Sequence, residues 1–272
     1  MVAARRRKLL YAGAAAALIE NMFAKNEGEP RTLIMDVTLN HLSDDEITET
    51  LQEAKPYIDD GRLNLILLRS GTKFMQNGMD LTGIGVGTVI NNRRDEWAEF
   101  NEKMEQHRQD VAQDDVRYIA NMLDANRVEL KQYLDKVRDN TSTLRAMLEK
   151  KLGGEGGGAI ELGRNTDPKT VYLAIKPSDA YVAQVKNKAK EDVTPQDRVD
   201  VNQEMYRNDL LPAFENLAAV DRSSFGFNST NFGETGETIR ITLGVEENAM
   251  LKRYAQIIAE VSRSIPSRER QA

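Results

Sequence analysis

The sequence predicts an α/β fold in two parts, and three observations carry that reading. Short apolar runs alternate with segments of helical period from the amino-terminal region onward. One of the runs, Leu63 to Leu68, is almost continuously apolar, as a strand is when helices cover both faces of a parallel sheet. Farther on, Gly153-Gly154-Glu155-Gly156-Gly157-Gly158 makes a flexible break and a natural domain boundary. A chain of 272 residues is long enough for a sizeable core and for one or two domains.

The elements follow in order. Residues 8 to 25 read as an alanine-rich helix. Arg5-Arg6-Arg7-Lys8 before Leu9 to Ile19 imitates a secretory signal, but no clear cleavage site follows and the apolar run is too short to span a membrane. A helix packed on a sheet is the expectation. Pro30 closes a loop, and Leu33-Ile34-Met35 is a short strand ending in Asp36. Ser43-Asp44-Asp45-Glu46 has the form of a capped helix start, leading to Ile47, Leu51 and Ala54 on one face and an end near Pro56. After the buried strand, Gly83, Gly85 and Gly87 alternate with Ile84, Val86 and Thr88, which predicts a strand that approaches other backbone closely. Asp95 to Leu152 is charged and helical, expected as a pair of packed helices. Beyond the glycines, Val171–Ile175, Ser224–Phe227 and Ile239–Leu243 read as strands; Asp179–Glu191, Val199–Leu217 and Ala249–Ser262 read as helices. The expected division is 1–95, 96–158 as a charged helical connector, and 159–272 as a small α/β domain.

Composition narrows the function. Hydrophobic residues at 40% and charged residues at 29% mark a globular chain, expected to be cytoplasmic and free of membrane association. A net charge of -6 and a pI near 5.3 speak against nucleic acid as a partner. The absence of cysteine excludes disulfides, thiolate catalysis and Cys-based zinc sites. His41 and His107 are far apart, and no metal is expected.

The chemistry gathers where the predicted strands end. Asp36 closes one strand, and Ser70, Thr72 and Lys73 follow the next. In open α/β sheets ligands bind at the carboxyl ends of strands. A lysine behind a buried run is partly desolvated, which favours the neutral amine that attacks an aldehyde. A carboxylate nearby suits a pyridinium nitrogen, and two hydroxyls suit a phosphate.

These segments resemble a known family. Leu33-Ile34-Met35-Asp36-Val37-Thr38 is similar to the strand-Asp-x-Thr segment of the cystathionine synthase and lyase group, the Cys/Met-metabolism enzymes of pyridoxal phosphate (PLP) fold type I. Ser70-Gly71-Thr72-Lys73-Phe74 resembles that family's Ser-x-Thr-Lys-aromatic signature, and Asp80 stands where the family has an aspartate. Ser224-Phe225-Gly226-Phe227-Asn228-Ser229-Thr230 resembles its Ser-Leu-Gly segment. Ile239-Arg240-Ile241-Thr242-Leu243-Gly244-Val245-Glu246 resembles its Arg-x-x-x-Gly-x-Glu strand and turn. The resemblance covers about residues 33 to 90 and 220 to 262. It implies the C-terminal part of a fold type I large domain followed by a small α/β domain, and PLP as cofactor. Lys73 would hold the cofactor as a Schiff base. Asp36 would face the ring nitrogen with Thr38 alongside. Ser70 and Thr72 would bind the phosphate. Arg240 would hold an amino-acid carboxylate in two hydrogen bonds, with Ser224 near the substrate. The reaction would be that of a lyase or transferase on an amino acid, possibly one containing sulfur.

The sequence departs from the family in places. Asn77-Gly78-Met79 replaces its Gly-His, and an extra helix separates Asp36 from Lys73. Only 35 residues precede Asp36, and they hold no glycine loop for a phosphate. The expectation is therefore an incomplete chain, a homo-oligomer, or a chain paired with another that carries the missing N-terminal half. The alternative is a catalytically inactive PLP-fold interaction protein. Ser70-x-x-Lys73 also fits a serine acyl-transfer enzyme, but the partner motifs Ser-Asp-Asn and Lys-Thr-Gly are absent. Gly83-x-Gly85-x-Gly87 has the wrong spacing for a dinucleotide loop.

Overall fold

The structure is a computed structural model that describes residues 12–24, 28–40, 44–76, 83–107, 112–125, 127–153, 158–163, 170–215, 217, 219–221 and 228–269. The chain divides into two compact units. The first is built from Met1–Thr72 and Thr82–Asp124, the second from Lys73–Leu81 and Ala125–Ala272. It is a mixed α/β fold, as the sequence predicts.

The first unit contains α1 (Ala12–Ala24), β1 (Arg31–Asp36), α2 (Asp45–Asp59), β2 (Leu63–Ser70), β3 (Gly85–Ile90), α3 (Asp95–Gln106) and α4 (Gln113–Ala125). Its sheet has the order β1-β2-β3. β1 and β2 are parallel, with Leu33 beside Leu65 and Asp36 beside Leu68, whereas β3 returns antiparallel to β2. Alternation along the strands sends Leu33, Leu63, Leu65 and Leu67 into one core. Ile19 and Phe23 of α1 and Ile47, Ala54 and Ile58 of α2 close that core. Phe23 stacks on Tyr57 with ring centroids 4.4 Å apart, and the Arg62 guanidinium lies 5.0 Å from the Tyr57 ring. Trp97 pins α3 by donating from Nε1 to the Gly61 carbonyl at 2.8 Å.

The second unit contains α5 (Arg127–Leu152), β4 (Ile160–Leu162), β5 (Tyr172–Pro177), α6 (Asp179–Lys186), α7 (Pro195–Met205), α8 (Leu211–Phe214), β6 (Val220–Asp221), β7 (Asn231–Thr235), β8 (Thr238–Thr242) and α9 (Asn248–Glu269). The sheet order is β4-β5-β8-β7-β6. Ile239, Ile241 and Leu243 face a large core with Leu173, Ile175, Leu144, Leu148, Tyr254 and Ile258. Phe214 stacks on Phe232 at 4.0 Å, and Tyr254 meets Phe232 edge-on. Among the described residues no helix is long and apolar enough to cross a membrane.

Several local expectations change. Among the described residues the stretch 95–152 holds three helices rather than two. α2 runs past Pro56 to Asp59, because a proline in the last turn forfeits one hydrogen bond without ending a helix held by Ile58 in the core. Asp44, not Ser43, holds its N-cap position; Ser43 lies outside the described residues. Gly83 and Gly85 face open space rather than close backbone. The close approach is at Gly71, where a side chain would meet the Ile84 carbonyl oxygen at 2.9 Å. The strand expected at Ser224–Phe227 falls outside the described residues.

Candidate functional site

The carboxyl ends of β1 and β2 are joined by two bonds, and a third braces the end of β1 itself. The Val37 amide donates to the Leu68 carbonyl at 2.8 Å. The Ser70 amide donates to Thr38 Oγ1 at 2.9 Å, and the Thr38 amide donates to Asp36 Oδ1 at 2.9 Å. Asp36, Thr38 and Ser70 are thus gathered at one strand end. Asp36 is exposed and braces its own turn, while Thr38 is buried. The Gly71 amide then donates to the Ile84 carbonyl at 2.7 Å, where only glycine fits. Thr72 is the last residue of this part of the first unit.

Lys73 opens the short segment that belongs to the second unit, and it is partly buried. The residues after it hold the segment in place. Phe74, Met75 and Gln76 form a single 3-10 turn with exposures of 1%, 2% and 0%. The Phe74 ring lies 6.1 Å from that of Tyr133 on α5. The aromatic after the lysine is therefore an anchor, while Thr72 and Lys73 before it are partly buried. Ser70 ends a strand and Lys73 stands in a turn, so Ser70-x-x-Lys73 does not open an α-helix as the acyl-transfer motif does. Asp80 lies outside the described residues, as does Ser224.

Arg240 lies in the same unit as Lys73, on β8 and on the face opposite the core. Its cross-strand neighbours are Ala174 and Gly233, which leave room for a guanidinium. The group sits 6.0 Å from the Tyr172 ring centroid. Burial pulls its pKa below the ordinary value, with Tyr172 opposing, and a guanidinium stays charged through such a shift. Thr242, next on that face, is buried and its hydroxyl has no hydrogen bond among the described residues.

The turn after β8 is clamped from a helix the motifs did not indicate. Asn140 of α5 donates from Nδ2 to the Gly244 carbonyl at 2.9 Å and to the Glu246 carbonyl at 3.0 Å. The Glu246 carboxylate accepts from the Thr230 amide, and the Val245 amide donates to the Asn228 carbonyl at 3.0 Å. A side chain at position 244 would collide with that same carbonyl, which explains the glycine. Glu246 also sets a negative charge near two buried phenols. Burial and then Glu246 raise the pKa of Tyr133, and the same two causes push Tyr254 up to about 12. The sequence signal for Asn140 is faint: a polar residue at helical spacing within the apolar stripe Leu130, Leu134, Val137, Leu144 and Leu148.

No protein-family model matches the sequence, and no curated protein is detectably similar to it. Solved structures are similar in fold. Cystathionine gamma-lyase from yeast matches with a TM-score of 0.54 and 11% identity, over 92% of this chain and 60% of its own. The metB structure from Corynebacterium glutamicum matches with a TM-score of 0.50 and 11% identity, over 89% of this chain and 66% of its own. Cystathione gamma lyase (CalE6) from Micromonospora echinospora gives 0.51 and 12%, over 89% and 59%. The chain therefore has the fold of the PLP fold type I enzymes. It spans between 59% and 66% of the length of these three structures.

Proposed function

We propose that this chain forms part of a PLP-dependent enzyme acting on an amino acid, as a lyase or transferase, with Lys73 as the cofactor lysine. The observation that carries the reading is the turn Ser70–Phe74 at the end of a parallel strand in this fold. Lys73 is only partly buried there, and the next three residues are buried anchors. PLP, when bound, supplies an electron sink for the substrate's α-carbon.

The chain's own residues fit that group. Lys73 offers an amine on a turn made rigid by Phe74. Ser70 and Thr72 offer hydroxyls for a phosphate. Asp36 offers a carboxylate to a ring nitrogen, with Thr38 holding its turn. Arg240 offers a planar fork to the amino acid's carboxylate, and Ser224 is the further substrate residue that the motif proposes. An amino-acid substrate and assembly with like or complementary chains complete the proposal.

The test is covalent trapping. The protein is incubated with PLP, reduced with borohydride and mapped by mass spectrometry. A pyridoxyl group on Lys73 is the expected result; one on another lysine overturns the assignment. In the PLP-loaded, unreduced protein, Arg240→Lys should weaken binding of L-serine by about tenfold or more, since a charged hydrogen bond is worth about 1.5–3 kcal/mol. Equal spectral titrations with mutant and parent would remove Arg240 from the site.

A further inference from the structure

Among the described residues β1 runs along an open edge of the three-stranded sheet. Its Arg31 amide donates to the Arg62 carbonyl at 2.8 Å, and past its other end the Val37 amide donates to the Leu68 carbonyl at 2.8 Å. In a parallel ladder every second residue bonds to the neighbouring strand, so the odd residues from Arg31 to Val37 face β2. The even ones, Thr32, Ile34 and Asp36, turn their N–H and C=O groups to the open side. All three are exposed, Ile34 by 60%.

Folded proteins commonly blunt such an edge with lysine, proline or a bulge. Arg31–Asp36 contains neither lysine nor proline, and its middle, Thr32-Leu33-Ile34-Met35, is uncharged. At the other edge, β3 exposes Gly85 and Gly87, which bring no side chains to a pairing. β1 is therefore the better template for another strand.

Its residues also select that strand. β1 carries a cation at one end, Arg31, and an anion at the other, Asp36. An antiparallel copy brings unlike ends together, whereas a parallel copy sets like charges side by side. Even residues must meet even residues for their hydrogen bonds to close, so an antiparallel copy centres on Thr32, Ile34 or Asp36. Centring on Thr32 sets Ile34 against the partner's Pro30, which has no N–H to give. Centring on Asp36 sets two carboxylates face to face. Centring on Ile34 avoids both. It matches the two Ile34 side chains across the axis and sets Thr32 against the partner's Asp36. Each opposed pair exchanges two bonds, about six in all. Ile66 and Leu68 stand beside Ile34 and Asp36 on β2 and continue the apolar face.

We infer that β1 pairs antiparallel with β1 of a second copy about a two-fold axis at Ile34, joining two three-stranded sheets into one. The pairing selects a like chain over a complementary one, and it holds whether or not Lys73 binds PLP.

The experiment is crosslinking by position. The chain has no cysteine, so each cysteine variant carries a single thiol. Opposed residues in such a pair have Cα atoms about 5.5 Å apart, within the reach of a disulfide. Ile34→Cys should give a covalent dimer under mild oxidation, read on a non-reducing gel. Thr32→Cys should crosslink about tenfold more slowly or not at all, because the partner's Thr32 lies about 14 Å away in this register. Without oxidant, the parent should sediment as a dimer in the micromolar range. Ile34→Lys, at an exposed position outside the core, should raise the dissociation constant about tenfold or more. A parent that stays monomeric throughout that range overturns the inference, which is also the result expected if a strand of another chain covers the edge. Ile34→Cys that stays uncrosslinked overturns it too, and Thr32→Cys that crosslinks as fast overturns the register.

Discussion

The side chain of Asn140 reaches two carbonyls that lie 104 and 106 residues farther along the chain, the first in a buried bond and the second in a part-buried one. Asn140→Ala leaves both carbonyls unpaired. The expected cost is about 1–3 kcal/mol, read as a lower urea midpoint with an unchanged slope. Glu246 acts on its neighbours through charge. Tyr254 is neutral well past the ordinary tyrosine value of about 10, up to about 12. Its contribution to stability is complete below that ordinary value and is lost as pH rises through about 12. Glu246→Gln removes the second cause of the shift, so Tyr254 should ionise at lower pH. Ultraviolet titration of the folded protein measures this directly; an unmoved Tyr254 would show that burial alone sets its value. Lys73 and Arg240 could be named as candidates because each sits in a short motif whose spacing is local. Asn140 could not. Its significance depends on what lies across the fold, and one polar residue in an apolar stripe has many innocent explanations.

Among the helices, α7 has the most complete start. Thr194 accepts from the Asp197 amide at 3.2 Å, and the Asp197 carboxylate accepts from the Thr194 amide at 2.9 Å. Pro195 fills the first turn, where no N–H is needed. Thr194→Ala should cost about 1 kcal/mol, visible as a lower unfolding midpoint. The Lys188 ammonium and the two Thr194 bonds hold the Asp197 carboxyl well below its usual range. Its contribution is therefore present above about pH 4 and fades as pH falls through that depressed value. β2 was legible to within two residues and the start of α9 to within one, whereas α9 runs on to Glu269, well past the expected Ser262. β7 was not, because Asn231-Phe232-Gly233-Glu234-Thr235 is stabilised by pairing with β8 rather than by its own pattern. The reversal of β3 was equally hidden: an apolar alternation gives a strand its faces but not its direction.

At the scale of the whole molecule, the outer face of the three-stranded sheet is the least finished surface. Ile34 is 60% exposed and Leu68 is 44% exposed, and their strands are neighbours. β1 also forms an edge of that sheet. Exposed apolar side chains beside an open edge favour association between chains. Light scattering across a concentration series should show association that Ile34→Lys and Leu68→Glu each reduce. Association unchanged in both variants would assign it to another surface. The fold class was readable from the alternation of helix and strand alone. The assignment of Lys73–Leu81 to the second unit was not, since it rests on Phe74, Met75 and Gln76 finding α5 rather than on any property of their own sequence.

The packing of α5 on α9 has a consequence for synthesis. These two helices face each other across one core, yet Leu144 and Tyr254 are separated by the rest of the unit. A nascent chain leaves the ribosome with α5 exposed, and it must wait for α9 before the apolar stripe of α5 is covered. Contacts this distant in sequence form late, because chain closure must precede any reward for it. The second unit should therefore complete its fold only once α9 has been made. The Asn140 clamp, made across the same gap, belongs to the last steps, and its loss should quicken unfolding while leaving the refolding rate nearly unchanged. Stopped-flow measurements on Asn140→Ala would read both arms.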